Sequence, residues 1–325
     1  MKRICILCVA MIMATLSYAQ INLVATLNHN DSISVYYGSS ALVQAYNNAV
    51  GGDIITLSGG TFSSVNISKA VTIRGAGMIS DDIAGTDATV LSGNFTVNIQ
   101  GDSINRFSLE GISIWSIDIQ SAYKPKIMKC YIEYVMIGSN STYETNFINC
   151  IINNLNPIAM TSTQFINSIV LNTSYNSSWQ ASFHNCIVDL KSGVGNRSFY
   201  NSILYCRGCF NESTASSFNC IGIQNYGNSG LFSSQSHNCV NYYGMSSVFQ
   251  SFTGEFAYSF ELQDSVASTV LGTDGTQVGV YGGVFPFDLR VTNPMIKRIN
   301  VANRSTADGK LSVDIEVVSE EEEQQ

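Results

Sequence analysis

Acid–base chemistry needs carboxylates or imidazoles within a few ångströms of one another, and this chain spreads both thinly. Between residues 100 and 215 the acids are Asp102, Glu110, Asp118, Glu133, Glu144, Asp189 and Glu212. Hydrolysis of a glycosidic bond by a carboxyl pair requires a separation of about 5 to 10 Å. On strands that means positions i and i+2 or neighbouring strands in register, and no two of these acids form such a pair. A calcium-assisted elimination needs several carboxylate oxygens around the ion and a Lys or Arg base beside it. The nearest grouping is Asp118 and Glu133 with Arg106, Lys124, Lys126 and Lys129, which reads better as a salt-bridged surface. Asp81-Asp82 reads as a solvated turn.

The three histidines, His29, His184 and His237, supply no base for a nucleophilic triad. Cys206-Arg207-Gly208-Cys209 has the spacing of a redox or zinc half-site, but a second such pair and a nearby His pair are missing from the sequence. A local disulfide or two free thiols is the better reading, and neither a metal site nor a cofactor is expected.

A different kind of site is suggested by what must position these residues. The phrases NCII, NSIV, NCIV, NSIL, NCIG and NCVN begin at Asn149, Asn167, Asn185, Asn201, Asn219 and Asn238, at spacings of 18, 18, 16, 18 and 19 residues. A Phe stands two residues before the first four: Phe147, Phe165, Phe183 and Phe199. Helix-pair repeats need roughly 33 to 47 residues, so so short a period implies strands. Coils of this length, stacked in register about 4.8 Å apart, put equivalent side chains on top of one another. The Phe residues then form an internal stack, with Phe107 as an earlier member. If each Asn takes the left-handed conformation at a bend, its amide can bond the next Asn along the stack. The following Cys or Ser then points inward and the Ile after it outward. If the strand ran straight, Phe, Asn and Ile would all face inward. The alternation of Cys130, Cys150, Cys186, Cys220 and Cys239 with Ser168 and Ser202 favours the bend, because a crowded core edge wants a small side chain. Stacked free thiols are preferred there over disulfides.

The residue before each Asn then faces out: Ile148, Ile166, His184, Tyr200, Phe218 and His237, with Met128 earlier. Either this column is an exposed platform for sugar rings or a protein strand, centred on His184, Tyr200 and His237, or a loop covers it.

Ahead of the repeats, Ser39 and Ser40 can cap a short helix near residues 40–50, ended by Gly51-Gly52, which would lid the open edge of the first coil. Ile54-Ile55-Thr56-Leu57, Gly59-Gly60-Thr61-Phe62, Val65-Asn66-Ile67 and Val71-Thr72-Ile73-Arg74-Gly75-Ala76-Gly77 follow as strand-length bursts between turns. The stretch from Ala41 to Gly77 resembles the start of right-handed parallel β-helix proteins of the pectin-lyase-like group. The NCII/NSIV repeats, and Asp274-Gly275-Thr276 through Tyr281-Gly282-Gly283 with Asn293-Pro294, resemble β-helix proteins secreted by Bacteroidetes-type bacteria. The resemblance spans nearly the whole chain and implies architecture more than chemistry. The DD, NTD and GHG signatures of the polygalacturonase-like members do not occur in the coils.

The expected fold is therefore all-β: a right-handed, single-stranded parallel β-helix with an N-terminal cap helix and a C-terminal β-hairpin. Residues 1–19, with Lys2, Arg3, an apolar run and Ser17-Tyr18-Ala19, read as a secretory signal. Residues 20–295 form the β-helix domain, of roughly ten coils and about 45 to 50 Å, with 244–295 closing its far end. Residues 296–319 form a hairpin that buries Leu311, Val313, Ile315 and Val317 and plugs the same end, and 320–325 are an acidic, disordered tail. The net charge of -8 argues against nucleic acid, which demands a basic footprint. No transmembrane segment is expected. These features point to a monomer, secreted or on the outer surface of a Gram-negative bacterium, that binds polysaccharide or a surface protein without catalysis. The alternative is a polysaccharide lyase or hydrolase of the pectin-lyase-like group.

Overall fold

A computed structural model describes residues 23–80, 86–101, 104–138, 142–157, 162–173, 180–190, 197–206, 216–224, 231–232, 236–250, 260–289, 295–301, 304, 309–310 and 313–318. The signal segment, Asp81-Asp82, Asp102, Cys209, Glu212, Leu311 and the acidic tail lie outside these residues. The side chain of Cys206 does too.

The chain winds as a parallel β-helix with two long walls. Wall A stacks the strands Ile54–Leu57, Thr72–Arg74, Ser108–Glu110, Lys126–Met128, Asn146–Ile148, Thr163–Ile166, Ala181–His184, Ser198–Tyr200 and Ser217–Phe218. Wall B stacks ten strands, from Gly60–Ser63 through Ser113–Tyr123 and Tyr131–Ile137 to Val240–Tyr243. Register is parallel from coil to coil, as in Phe147↔Phe165↔Phe183↔Phe199 and Ile151↔Ile169↔Ile187↔Ile203. Of the expected early strands, Val65-Asn66-Ile67 contributes only a single bridge, Ile67 to Val97.

The repeats account for the interior. The four Phe rings stack at 5.0, 4.7 and 5.0 Å, nearly parallel. Phe107 is not part of that stack. Leu109 and Ile127 hold the register positions beneath Phe147, and Phe107, two residues earlier, packs on Phe95 instead. Every repeat Asn has positive φ, from 45° at Asn167 to 58° at Asn238, and Lys129 takes 48° at the equivalent bend. The bend turns the next residue inward: Cys150, Ser168, Cys186, Ser202, Cys220 and Cys239 are buried, and these cysteines are free thiols. Cys and Ser are interchangeable here because each needs only a small donor. The Cys186 thiol donates to the His184 carbonyl at 3.2 Å, and the Ser202 hydroxyl donates to the Tyr200 carbonyl at 2.8 Å.

The N-terminal lid has more parts than a helix. β1 (Val24–His29) runs antiparallel to the first coil strand of wall A, and β2 (Ser32–Tyr37) extends the wall antiparallel to β1. α1 (Ala41–Asn48) buries Ala41, Leu42, Ala45 and Tyr46 over the core. No side chain caps its N-terminus; the Ser40 hydroxyl instead accepts from the Gln44 amide at 3.0 Å. At its C-terminus the Lys69 ammonium donates to the Tyr46, Asn47 and Ala49 carbonyls, complementing the negative end of the helix dipole.

The end pieces differ from expectation. The described part of residues 244–295 runs back along the flank of the rod. The far end is filled by Leu231 and Phe232, whose backbone is held by the Asn241 amide at 3.0 and 3.1 Å. The returning segment lies on the outward Ile column, where Ile151, Ile169, Ile187, Ile203 and Ile221 form a second core with Val248, Phe249, Leu262, Val266, Val278, Val280 and Phe287. It crosses the coils in order. Gly279 N–H donates to the Asn201 carbonyl at 2.8 Å, the Asn167 amide donates to the Val280 and Gly282 carbonyls at 2.8 and 2.6 Å, and Asp288 stands 3.9 Å from Lys129. This strap replaces most of the expected Asn ladder. Asn-to-Asn bonds join Asn219 to Asn201 at 3.4 Å and Asn238 to Asn219 at 3.0 Å, near the far end.

The C-terminal hairpin forms, Met295–Val301 pairing antiparallel with Val313–Val318. Its two strands make a sheet of their own. Val313, expected to be buried, is 49% exposed.

Candidate functional site

Alternation along the wall A strands fixes what faces out. Since Phe147, Phe165, Phe183 and Phe199 point inward, their neighbours on both sides point outward, giving two columns. One is Lys126, Asn146, Gln164, Ser182 and Ser198. The other is Met128, Ile148, Ile166, His184, Tyr200 and Phe218, with His237 continuing it. His184, Tyr200 and His237 thus lie in one column on one face. The rings are stacked: His184 on Tyr200 at 4.7 Å and 11°, Tyr200 on Phe218 at 5.3 Å and 5°, Phe218 on His237 at 4.5 Å and 23°. All but His237 are half-buried.

This geometry restricts the chemistry. Coil spacing of about 4.8 Å is close to the contact distance of stacked rings, so a column of rings on an in-register parallel sheet closes its own faces. Both faces of Tyr200 are occupied, by His184 and Phe218, and a pyranose cannot stack on it as a sugar platform would require. The column presents ring edges, beside the hydroxyl and amide groups of the adjacent column. Burial pushes the His184 imidazole below its ordinary value, because desolvation disfavours the charged form. His184 is therefore a neutral, polarisable ring at physiological pH.

The other candidates are dispersed. Asp118 accepts from Gln120 at 2.7 Å, whereas Glu133 accepts from Asn153, Asn154 and the Tyr131 hydroxyl. Lys124 pairs with Glu144 at 2.6 Å and Lys129 faces Asp288, so the mixed-charge group does not converge on an ion site. His29 is a lid residue, 2.8 Å from Asp53. Among the described residues no group of three or more His, Cys, Asp or Glu could hold a metal ion, and no helix is long and apolar enough to cross a membrane. Arg197 is fully buried, with its guanidinium 3.4 Å from the Thr173 hydroxyl. Comparison with protein families, curated proteins and solved structures finds no match to this chain.

Proposed function

We propose that this is an exported, non-catalytic β-helix protein that binds carbohydrate or protein through the outward face of wall A. The observation that carries the reading is the unbroken ring column from His184 to His237 beside the Gln164, Ser182 and Ser198 column. Each side chain is held by its neighbours above and below, so little rotamer freedom is left to lose when a ligand lies across the coils. Tyr200 offers a hydroxyl at the ring edge, and Ser182 and Ser198 offer donors and acceptors one column away. The resemblance of residues 41–77 to pectin-lyase-like proteins, and the signal-like residues 1–19, support an exported protein that meets polysaccharide or a surface protein.

A glycan-array screen of residues 20–325, run with an assay for turnover of acidic polysaccharides, tests the reading. A ligand whose affinity falls at least about tenfold, roughly 1.4 kcal/mol, in Tyr200→Ala and His184→Ala supports it. A ligand bound undiminished by both variants moves binding off this face, and turnover of an acidic polysaccharide replaces the reading with that of a lyase.

A further inference from the structure

The strap covers wall B along the Ile151 to Ile221 column, with Met78, Ile79 and Tyr131 packed at the end of that core and Asp288 beside Lys129. Farther along the same strands, the outward side of wall B carries Trp115, 61% exposed, and Tyr134, 41% exposed. Their rings meet at 5.4 Å and 61°. This arrangement is the opposite of the wall A column. An edge-to-face pair leaves ring face unstacked, and apolar face is what the C–H side of a pyranose can cover.

The surroundings of the pair are polar and already oriented. Gln100 donates to Asn98 at 3.4 Å, Asn98 to Gln120 at 3.4 Å, and Gln120 to Asp118 at 2.7 Å, a chain of planar groups running across neighbouring strands. Asn94, Ser116, Tyr134 and Asn154 share one register position, and Thr96, Asp118, Met136 and Asn156 share the next outward one. The Glu133 carboxylate is fixed by Asn153 at 2.6 Å and Asn154 at 3.1 Å. Planar amides and carboxylates suit sugar hydroxyls, which both donate and accept.

We propose that this exposed part of wall B is a second binding surface, distinct from the wall A column, that takes a neutral oligosaccharide with a pyranose ring on Trp115. The charges select the class. Asp118 and Glu133 put negative charge on the platform, while the nearby Lys124 ammonium is engaged by Glu144 at 2.6 Å. A uronate polymer would bring like charge against these carboxylates. A β-strand partner is disfavoured because the platform strands are hydrogen-bonded on both sides within wall B, which leaves no open edge to extend.

Titrating the full chain with cellohexaose, mannohexaose, laminarihexaose and hexagalacturonate, followed by calorimetry and tryptophan fluorescence, tests the proposal. At least one neutral hexasaccharide should bind, with affinity falling about tenfold or more in Trp115→Ala, less in Trp115→Phe, and not at all in Tyr37→Ala, an exposed aromatic on the lid strand β2. Since Trp115 is exposed, the alanine variant should keep the parent's circular dichroism and melting point, so its binding loss is read on a folded protein. Failure of all three neutral sugars to bind, binding undiminished in Trp115→Ala, or tighter binding of hexagalacturonate overturns it. Loss in Tyr200→Ala but not in Trp115→Ala would assign the sugar to wall A and leave the wall A reading standing alone.

Discussion

Replacing Asn167 separates the two jobs of a repeat Asn, holding the bend and holding the strap. Asn167 is 1% exposed, has φ 45°, and donates from one amide nitrogen to the Val280 and Gly282 carbonyls at 2.8 and 2.6 Å. Removing the side chain takes this donor from the Gly282 carbonyl, at about 1 to 3 kcal/mol, and one of two donors from the Val280 carbonyl, to which Phe287 N–H still donates at 2.7 Å, or roughly 2 to 4 kcal/mol together. Alanine must also hold a left-handed conformation, at about 1 to 2 kcal/mol. Asn167→Ala should therefore cost roughly 3 to 5 kcal/mol. Glycine takes the same φ freely, so Asn167→Gly should cost somewhat less, roughly 2 to 4 kcal/mol. The control is Asn185, which has φ 53° and is also buried but whose amide nitrogen has no hydrogen-bond partner. Asn185→Gly should change stability by less than about 1 kcal/mol. Urea melts by circular dichroism and tyrosine fluorescence rank the three variants by midpoint. Equal losses for Asn167→Gly and Asn185→Gly would refute the argument that amide contacts to the strap distinguish the two positions.

Gly282→Ala should loosen the strap, because a Cβ there would sit 1.7 Å from the Gln277 carbonyl oxygen; binding of a hydrophobic dye and a lowered thermal midpoint report it. Cys186→Ser should cost within about 1 kcal/mol in a urea melt, since Ser168 and Ser202 already satisfy the same bend. Burial pushes the Cys150 and Cys186 thiols up to about 12, so both should resist a water-soluble disulfide reagent at pH 8 until the chain is unfolded. For His184, whose folded value lies below its ordinary 6.5, the unfolded chain binds the extra proton first. Its contribution is fully present above pH 6.5 and is lost as pH falls from there through the lowered folded value. Melting midpoints from pH 8 to 5 should fall less steeply in His184→Phe than in the parent.

What the sequence made legible was whatever repeats. Each Asn bend and inward Cys or Ser follows from one local pattern applied six times, with an outward Ile in five of them and a stacked Phe in four, and the positive φ values and ring distances agree with it. Phe107 shows the limit of matching by residue type: register, which only pairing fixes, gives its place to Leu109. The strap was illegible for a related reason. Its glycines at 272, 279, 282 and 283 look like ordinary turn residues, and nothing periodic says that they lie against Asn201, Ile203 and Asn185. Alternation put His184, Tyr200 and His237 on one face, but that equal spacing of coils and stacked rings would close the faces of Tyr200 is a three-dimensional consequence. Trp115 and Tyr134 were hidden because their meeting depends on register between neighbouring strands, which only pairing fixes.

A bare stack of coils is nearly one-dimensional: each coil touches only its neighbours, stability is a sum of local terms, and ends can fray independently. The strap breaks that rule. Bonds from Asn167 to Gly282 and from Asn201 to Thr273 join residues 115 and 72 positions apart, the long-range contacts that slow folding and can form only after the coils they cross exist. The chain should therefore zip up coil by coil and lock at the end, and once locked the crossed coils should unfold as one cooperative unit. The coils before Lys129, tied to the strap's core among the described residues only by Met78 and Ile79, are left as the segment freest to open on its own, and they are the ones that carry Trp115.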